Sequence, residues 1–237
     1  PIEIELRTLD DVEVRVAASL TLDIAAQTVS IVDLDASAGG ARLRGDLAFN
    51  GVPATAIGSI ELQDLNLKQW LGNLQQPFPE IEVPRTVSAR ALTQLGAQLE
   101  YHLEANGRST LDVKLDIDGQ LLDVNANSDA SSEQLQIVVS APRFAVGDYL
   151  APDDDNPRAA PQQSNHATLF APLAPLMLWP GQAQMEIKLA TLQLNGYELS
   201  NLYTNLFSNR GVLRLASLTN RGLGDSITSI EPERRPD

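Results

Sequence analysis

The sequence predicts a mainly β fold: a long, curved antiparallel sheet with few short helices. Three observations carry this. Apolar and polar residues alternate with period two along most of the chain, turn-forming residues fall between the alternating runs, and the apolar content is almost wholly aliphatic, 43% hydrophobic with only 5% aromatic. Period-two alternation puts successive side chains on opposite sides of a strand, so each run builds one aliphatic and one polar face.

Taken in order, Ile2, Ile4 and Leu6 alternate with Glu3 and Glu5 and read as the first strand. Leu20 to Ile24, Val29 to Ile31 and Leu43 to Phe49 follow, with turn chemistry at Gly39-Gly40 and Asn50-Gly51. Leu67 to Leu74 has the spacing of two helical turns, and the proline-rich corner Gln75 to Pro84 separates two strand groups. Leu111, Val113, Leu115 and Ile117 alternate with Asp112, Lys114 and Asp116, between turns at Asn106-Gly107 and Asp118-Gly119. Gln134 to Val139 is a further strand. The segment 151–166 holds three consecutive aspartates and three prolines with almost nothing to bury, so it reads as a flexible acidic linker. Leu169, Leu173, Leu176 and Met177 have helical spacing interrupted by proline, a short helix at most. Val212 to Leu215 closes the series, after turns at Asn195-Gly196 and Asn209-Arg210-Gly211. The expected organisation is a curved-sheet segment with two repeat units over 1–150, the linker over 151–166, and a short helix with further hairpins continuing the sheet over 167–237.

An internal repeat sharpens this picture. Ile60-x-Leu62-x-x-Leu65-x-Leu67-x-x-Trp70-Leu71 matches Val139-x-Ala141-x-x-Phe144-x-Val146-x-x-Tyr149-Leu150 at every apolar position, and Ile187-x-Leu189-x-x-Leu192-x-Leu194 repeats the first part before turning. The x-x step shifts which face the apolar residues occupy, as a bulge or kink that bends a sheet would. The residues expected to line the aliphatic face of this sheet are Ile60, Leu62, Leu111, Val113, Leu115, Ile117, Val139, Ile187, Leu189, Leu192 and Leu194.

Composition excludes several function classes. With 17 Lys+Arg against 31 Asp+Glu, a net charge of −14 and a pI near 4.5, the chain has no basic footprint for nucleic acid. Cysteine is absent and only His102 and His166 are present, so thiolate catalysis, disulfides and Cys- or His-rich metal sites are not expected, nor is any cofactor. Asp112, Asp116 and Asp118 before Gly119 make an incomplete calcium-loop pattern and read as strand carboxylates; Asp153-Asp154-Asp155 read as solvated. Gly224-Asp225-Ser226 is similar to an esterase nucleophile turn, but no histidine follows it. The sequence therefore points away from an enzyme. Trp70 and Trp179 are expected to close sheet ends. The opening Pro1-Ile2-Glu3 carries neither a methionine nor a signal-peptide pattern and reads as a piece of something longer, and Leu169 to Trp179 is about half the ~20 residues a membrane-spanning helix needs.

Three stretches carry a resemblance to a known family. Gly39-Gly40-Ala41-Arg42-Leu43-Arg44-Gly45-Asp46-Leu47 leads into Ile60 to Leu71. Leu111 to Asp118 runs on to Phe144-Ala145-Val146-Gly147-Asp148-Tyr149-Leu150-Ala151-Pro152, with its D-x-Y-L-x-P ending. Gly181 to Leu189 is followed by Asn209-Arg210-Gly211-Val212-Leu213. Their order resembles the AsmA family of bacterial envelope proteins, with a fold similar to the repeating β-groove of bridge-like lipid-transfer proteins. The resemblance implies a periplasmic segment, tethered to the inner membrane by an anchor this chain lacks, that binds and conducts phospholipid acyl chains toward the outer membrane and so supports outer-membrane biogenesis and lipid homeostasis. Phospholipid and, through the anchor, membranes are the implied partners, and no nucleic acid. From Arg221 on, the family pattern is lost. The competing expectation is a non-enzymatic structural or regulatory β-domain of an envelope protein, whose aliphatic face is a closed core or a partner interface that holds no lipid.

Overall fold

The computed structural model describes residues 2–7, 13–75, 88–149, 176, 178–194, 197–209, 212–221 and 227–230. Strands dominate: β1 (Ile2–Arg7), β2 (Glu13–Asp23), β3 (Thr28–Ala38), β4 (Ala41–Gly51), β5 (Ala54–Leu65), β6 (Leu95–Leu103), β7 (Arg108–Ile117), β8 (Gln120–Asp129), β9 (Gln134–Ala141), β10 (Phe144–Ala145), β11 (Gln182–Leu194), β12 (Tyr197–Asn209), β13 (Val212–Arg221) and β14 (Ile227–Ile230). They form one open fourteen-stranded sheet in which each strand neighbours the next in sequence, with the short β10 set beside β11. Three of the turns the sequence marked are in place: Gly39 and Gly40 between β3 and β4, Gly107 before β7, and Asp118-Gly119 between β7 and β8 all have positive φ, whereas Asn50 and Gly51 end strand β4 and that hairpin turns at Val52-Pro53.

Two pairings break the antiparallel rule. β11 runs parallel to β9, with Gln182 beside Gln134 and Leu189 beside Ala141, and β10 runs parallel to β11. The cause is the long excursion between β10 and β11, because a strand can return parallel to an earlier one only across a connection of about a dozen residues or more. The linker expected over 151–166 lies in that excursion, outside the described residues.

Bulges stand at two x-x steps, Ile31-x-x-Leu34 and Leu62-x-x-Leu65, and there they correct the expected consequence. Between Ile31 and Leu34 the ladder to β4 slips at Asp33, and between Leu62 and Leu65 the ladder to β6 slips at Asp64. Between Leu215 and Leu218 the β13 register slips against β12 in the same way. Each bulge absorbs the extra residue. Ile31 faces Leu47 and Leu34 faces Gly45, while Leu62 faces Ala97 and Leu65 faces Leu95, so the apolar residues on both sides of the step stay on one face rather than crossing over. Asp33 and Asp64 hold φ of 55° and 54°, a left-handed backbone that Asp and Asn tolerate better than branched residues. The Asp33 N–H donates to Asp46 Oδ1 at 2.8 Å, which satisfies the donor the bulge removes from the ladder.

The one α-helix among the described residues, α1 (Leu67–Gln75), lies where its spacing predicted it. Asn66 caps it, its Oδ1 accepting the Gln69 N–H at 2.8 Å, and the Lys68 N–H donates to the Leu92 carbonyl at 2.9 Å. In the second repeat copy a 3₁₀ turn over Gly147–Tyr149 stands at the matching place. Both copies therefore run from strand to ladder break to helical turn. The helix expected over 169–177 falls outside the described residues except for Leu176.

Candidate functional site

The cross-strand register sorts the strand residues into two faces. One face carries Val16 and Leu20 of β2, Ile31 of β3, Leu43 and Leu47 of β4, Ile60 and Leu62 of β5, Leu99 of β6, Val113 and Leu115 of β7, Val124 of β8, Ile137 and Val139 of β9, Met185 and Ile187 of β11, Leu206 of β12 and Leu215 of β13. From β2 to β13 the path makes ten strand-to-strand steps, roughly 48 Å at about 4.8 Å per step. Up to the irregularity at Ala190 and Asn201, no residue aligned on that face by the ladder is charged. Its polar members are few and mostly paired: Ser109 and Ser128 share a hydrogen bond of 2.7 Å, and Gln120 donates to the Tyr149 hydroxyl at 2.8 Å.

The opposite face is polar. Asp112 and Lys114 of β7, Asn125 and Asn127 of β8, and Gln184 and Lys188 of β11 alternate with the apolar set. Arg42 Nε donates to Asp35 Oδ1 at 2.8 Å, and this bond holds the Asp35 carboxyl below the usual carboxylate range. The Glu186 carboxylate, 2.7 Å from Lys188 Nζ, raises the ammonium pKa. These exposed pairs contribute little to stability. A cleft of about 530 Å³ on this side is lined by Asp46, Ile57, Glu100, His102, Thr110 and Asp112 among others, and the register puts His102 on this polar face of β6.

The structure brings together most of the expected lining residues. Ile60, Leu62, Leu111, Val113, Leu115, Ile117, Val139, Ile187 and Leu189 share the uncharged face, each half-buried. Leu192 and Leu194 lie beyond the Ala190–Asn201 irregularity, where Leu192 faces Leu199 and the 38%-exposed Leu194 faces Tyr197. They stand an odd number of residues past Leu189 and do not continue its regular alternation.

The uncharged face has little cover. Among the described residues only Ala41, Ala91, Ala141, Leu176, Ala183 and Met185 are buried apolar residues, whereas Leu20, Leu22, Leu47 and Phe49 on this face are exposed. A single sheet layer ordinarily buries such a face against a second layer. Among the described residues the hydrophobic cluster on this face centres on Leu176, which is 0% exposed and sits on Ala183 and Met185 with Leu135, Ile137, Trp179, Ile187, Leu206 and Leu213 around it. Trp179 helps hold that contact, its Nε1–H donating to the Glu133 carbonyl at 2.8 Å, while Trp70 on α1 is 46% exposed.

The sequence reading missed the role of Asp118. Its carboxylate accepts the N–H groups of Leu92, Thr93 and Gln94 at 2.7, 3.0 and 2.9 Å, and the Tyr149 hydroxyl at 3.1 Å. Burial pushes its pKa up, but those donors outweigh burial and hold it below the ordinary value. Asp116 caps the same turn through the Gly119 N–H at 2.8 Å, so these two carboxylates build a turn, and Asp112 stays exposed on the polar face. No group of three or more His, Cys, Asp or Glu able to hold a metal is present among the described residues, and no helix among them is long and apolar enough to cross a membrane. His166, Asp153 to Asp155 and Gly224 to Ser226 lie outside the described residues. The chain matches no family model, no curated protein and no solved structure.

Proposed function

We propose that this chain binds phospholipid by its acyl chains and conducts it along the uncharged face of the sheet, as a periplasmic segment of an AsmA-like protein tethered to the bacterial inner membrane, in support of outer-membrane biogenesis. The observation that carries the reading is the face itself: about 48 Å of aliphatic surface, uncharged along its ladders and, among the described residues, left mostly half-buried or exposed away from Leu176. A surface of this kind takes an aliphatic chain favourably, at about 0.8 kcal/mol per buried CH₂, without a specific hydrogen bond. It asks little of the head group, and the net charge of −14 disfavours capture of anionic head groups by attraction. Large uncovered apolar surfaces on proteins mark binding sites for apolar partners.

One observation favours the rival reading, a structural β-domain without lipid: around Leu176 the same face serves as the protein's own core. Native mass spectrometry of the purified chain separates the two. Co-purified phospholipid is expected, together with photo-crosslinking of lipid from position 115 and not from position 116. A lipid-free protein that also takes up no fluorescent phospholipid would sink the conduit and leave the structural domain.

A further inference from the structure

The seat of Leu176 contains a chemical oddity. Ser208 is 0% exposed and its hydroxyl has no hydrogen-bond partner. In the ladder Ser208 stands opposite Ala183 on one side and Leu213 on the other, on the face that Leu176 covers. A buried hydroxyl without a partner is costly, and natural proteins keep few of them. The other serines of this face, Ser109 and Ser128, satisfy one another. Ser208 is thus a buried donor without an acceptor, set between Ala183 and Leu213 on the face that Leu176 covers.

The occupant of that seat is itself informative. Leu176 comes from outside the sheet and lies against Ala183, Met185, Leu206 and Leu213, so the seat accepts an aliphatic group entering from the open side. What Leu176 lacks is an acceptor oxygen for Ser208. An acyl ester supplies both parts, an aliphatic chain and a carbonyl oxygen at its head.

Resting on the lipid reading above, we propose that the seat of Leu176 is an acyl-ester site: when Leu176 withdraws, a lipid acyl chain takes its place against Ala183, Met185, Leu206 and Leu213, and the Ser208 hydroxyl donates to the ester carbonyl. Leu176 is then a built-in stopper that keeps this end of the groove closed while no lipid is bound. Its release couples loss of the leucine's contacts to gain of a hydrogen bond the empty site cannot make.

The test uses the whole chain with a photo-reactive diazirine side chain at position 213 or, as a remote control, at position 115. It is incubated with a diacyl phosphatidylethanolamine or with its dialkyl ether analogue, which lacks the carbonyls. In Leu176→Ala, labelling at 213 is expected to rise while labelling at 115 stays unchanged, and the ester lipid to label 213 about 3–10-fold more than the ether, the worth of one hydrogen bond. Adding Ser208→Ala should erase that preference. Labelling at 115 with none gained at 213 would overturn the acyl-ester site and leave the conduit standing, and equal labelling by the two lipids would likewise overturn it. No labelling at either position would remove the conduit and this site together. Ser208→Ala alone provides a check independent of the Leu176 variant: removing an unpartnered hydroxyl should leave the urea midpoint equal or higher, and a lower midpoint would show that the hydroxyl serves the fold and overturn the assignment.

Discussion

At Asp118 a single carboxylate joins three parts of the chain: the Leu92–Gln94 segment that leads into β6, the β7–β8 turn, and Tyr149 near the end of the second repeat copy. Its sign with pH follows from its pKa, which lies below the ordinary value in the folded state. The stability it contributes is fully present above the ordinary Asp value of about 3.9 and is lost as pH falls through that value toward the folded one. Asp118→Asn is expected to lower stability by about 1–3 kcal/mol at pH 7, since it leaves donors short of an ionised acceptor. In urea unfolding the gap between the two proteins should narrow as pH drops from about 4; a gap that stays constant with pH would assign the loss to shape rather than charge. The Phe144 and Tyr149 rings, stacked with centroids 5.9 Å apart, hold the hydroxyl that reaches this carboxylate.

Among the elements, the bulged strands decide the geometry of the face. A strand with an x-x step would turn half its apolar residues to the polar side, but the bulges at Asp33 and Asp64 restore them. Each needs a residue that accepts positive φ. Asp33→Val should destabilise by about 1–2 kcal/mol because a branched side chain strains the left-handed backbone, while Asp33→Gly should lie much closer to the native protein in thermal unfolding. Equal losses in both variants would place the effect in the Asp33 side chain instead. Close packing of β4 on β5 adds a second constraint: a Cβ at Gly45 would meet the Ser59 carbonyl oxygen at 2.3 Å, so no side chain fits where these strands cross.

For the whole molecule, the behaviour of the uncharged face depends on what touches it. A closed core punishes a buried charge by several kcal/mol, whereas a half-exposed position in an open trough lets a long side chain reach water. Val113→Glu is therefore expected to keep the fold, with thermal unfolding shifted by a few degrees only, while the amount of co-purified phospholipid falls. Global unfolding by this one substitution would instead show that the face is sealed. The exposed Leu20, Leu22, Leu47 and Phe49 at one end of the face and the capped Leu176 region at the other give it two unlike ends.

Much of this architecture was legible because it rests on local rules. Alternation sets the face of every residue from Leu111 to Ile117, turn chemistry sets the Asp118-Gly119 hairpin, and spacing sets α1, all within reach of a few neighbouring residues. The sequence by itself determined that the chain is a meander of strands with one uncharged aliphatic face. Only the tertiary structure decided that β11 returns parallel to β9, that the bulges at Asp33 and Asp64 keep the residues beside them on one side, that Asp118 is a hub rather than a solvated carboxylate, and that Leu176 covers the face that carries the unpartnered Ser208. The reason is range: a strand's faces are written in residues two apart, whereas pairing partners, bulge compensation and burial are set by segments tens of residues away, and alternation carries no record of them.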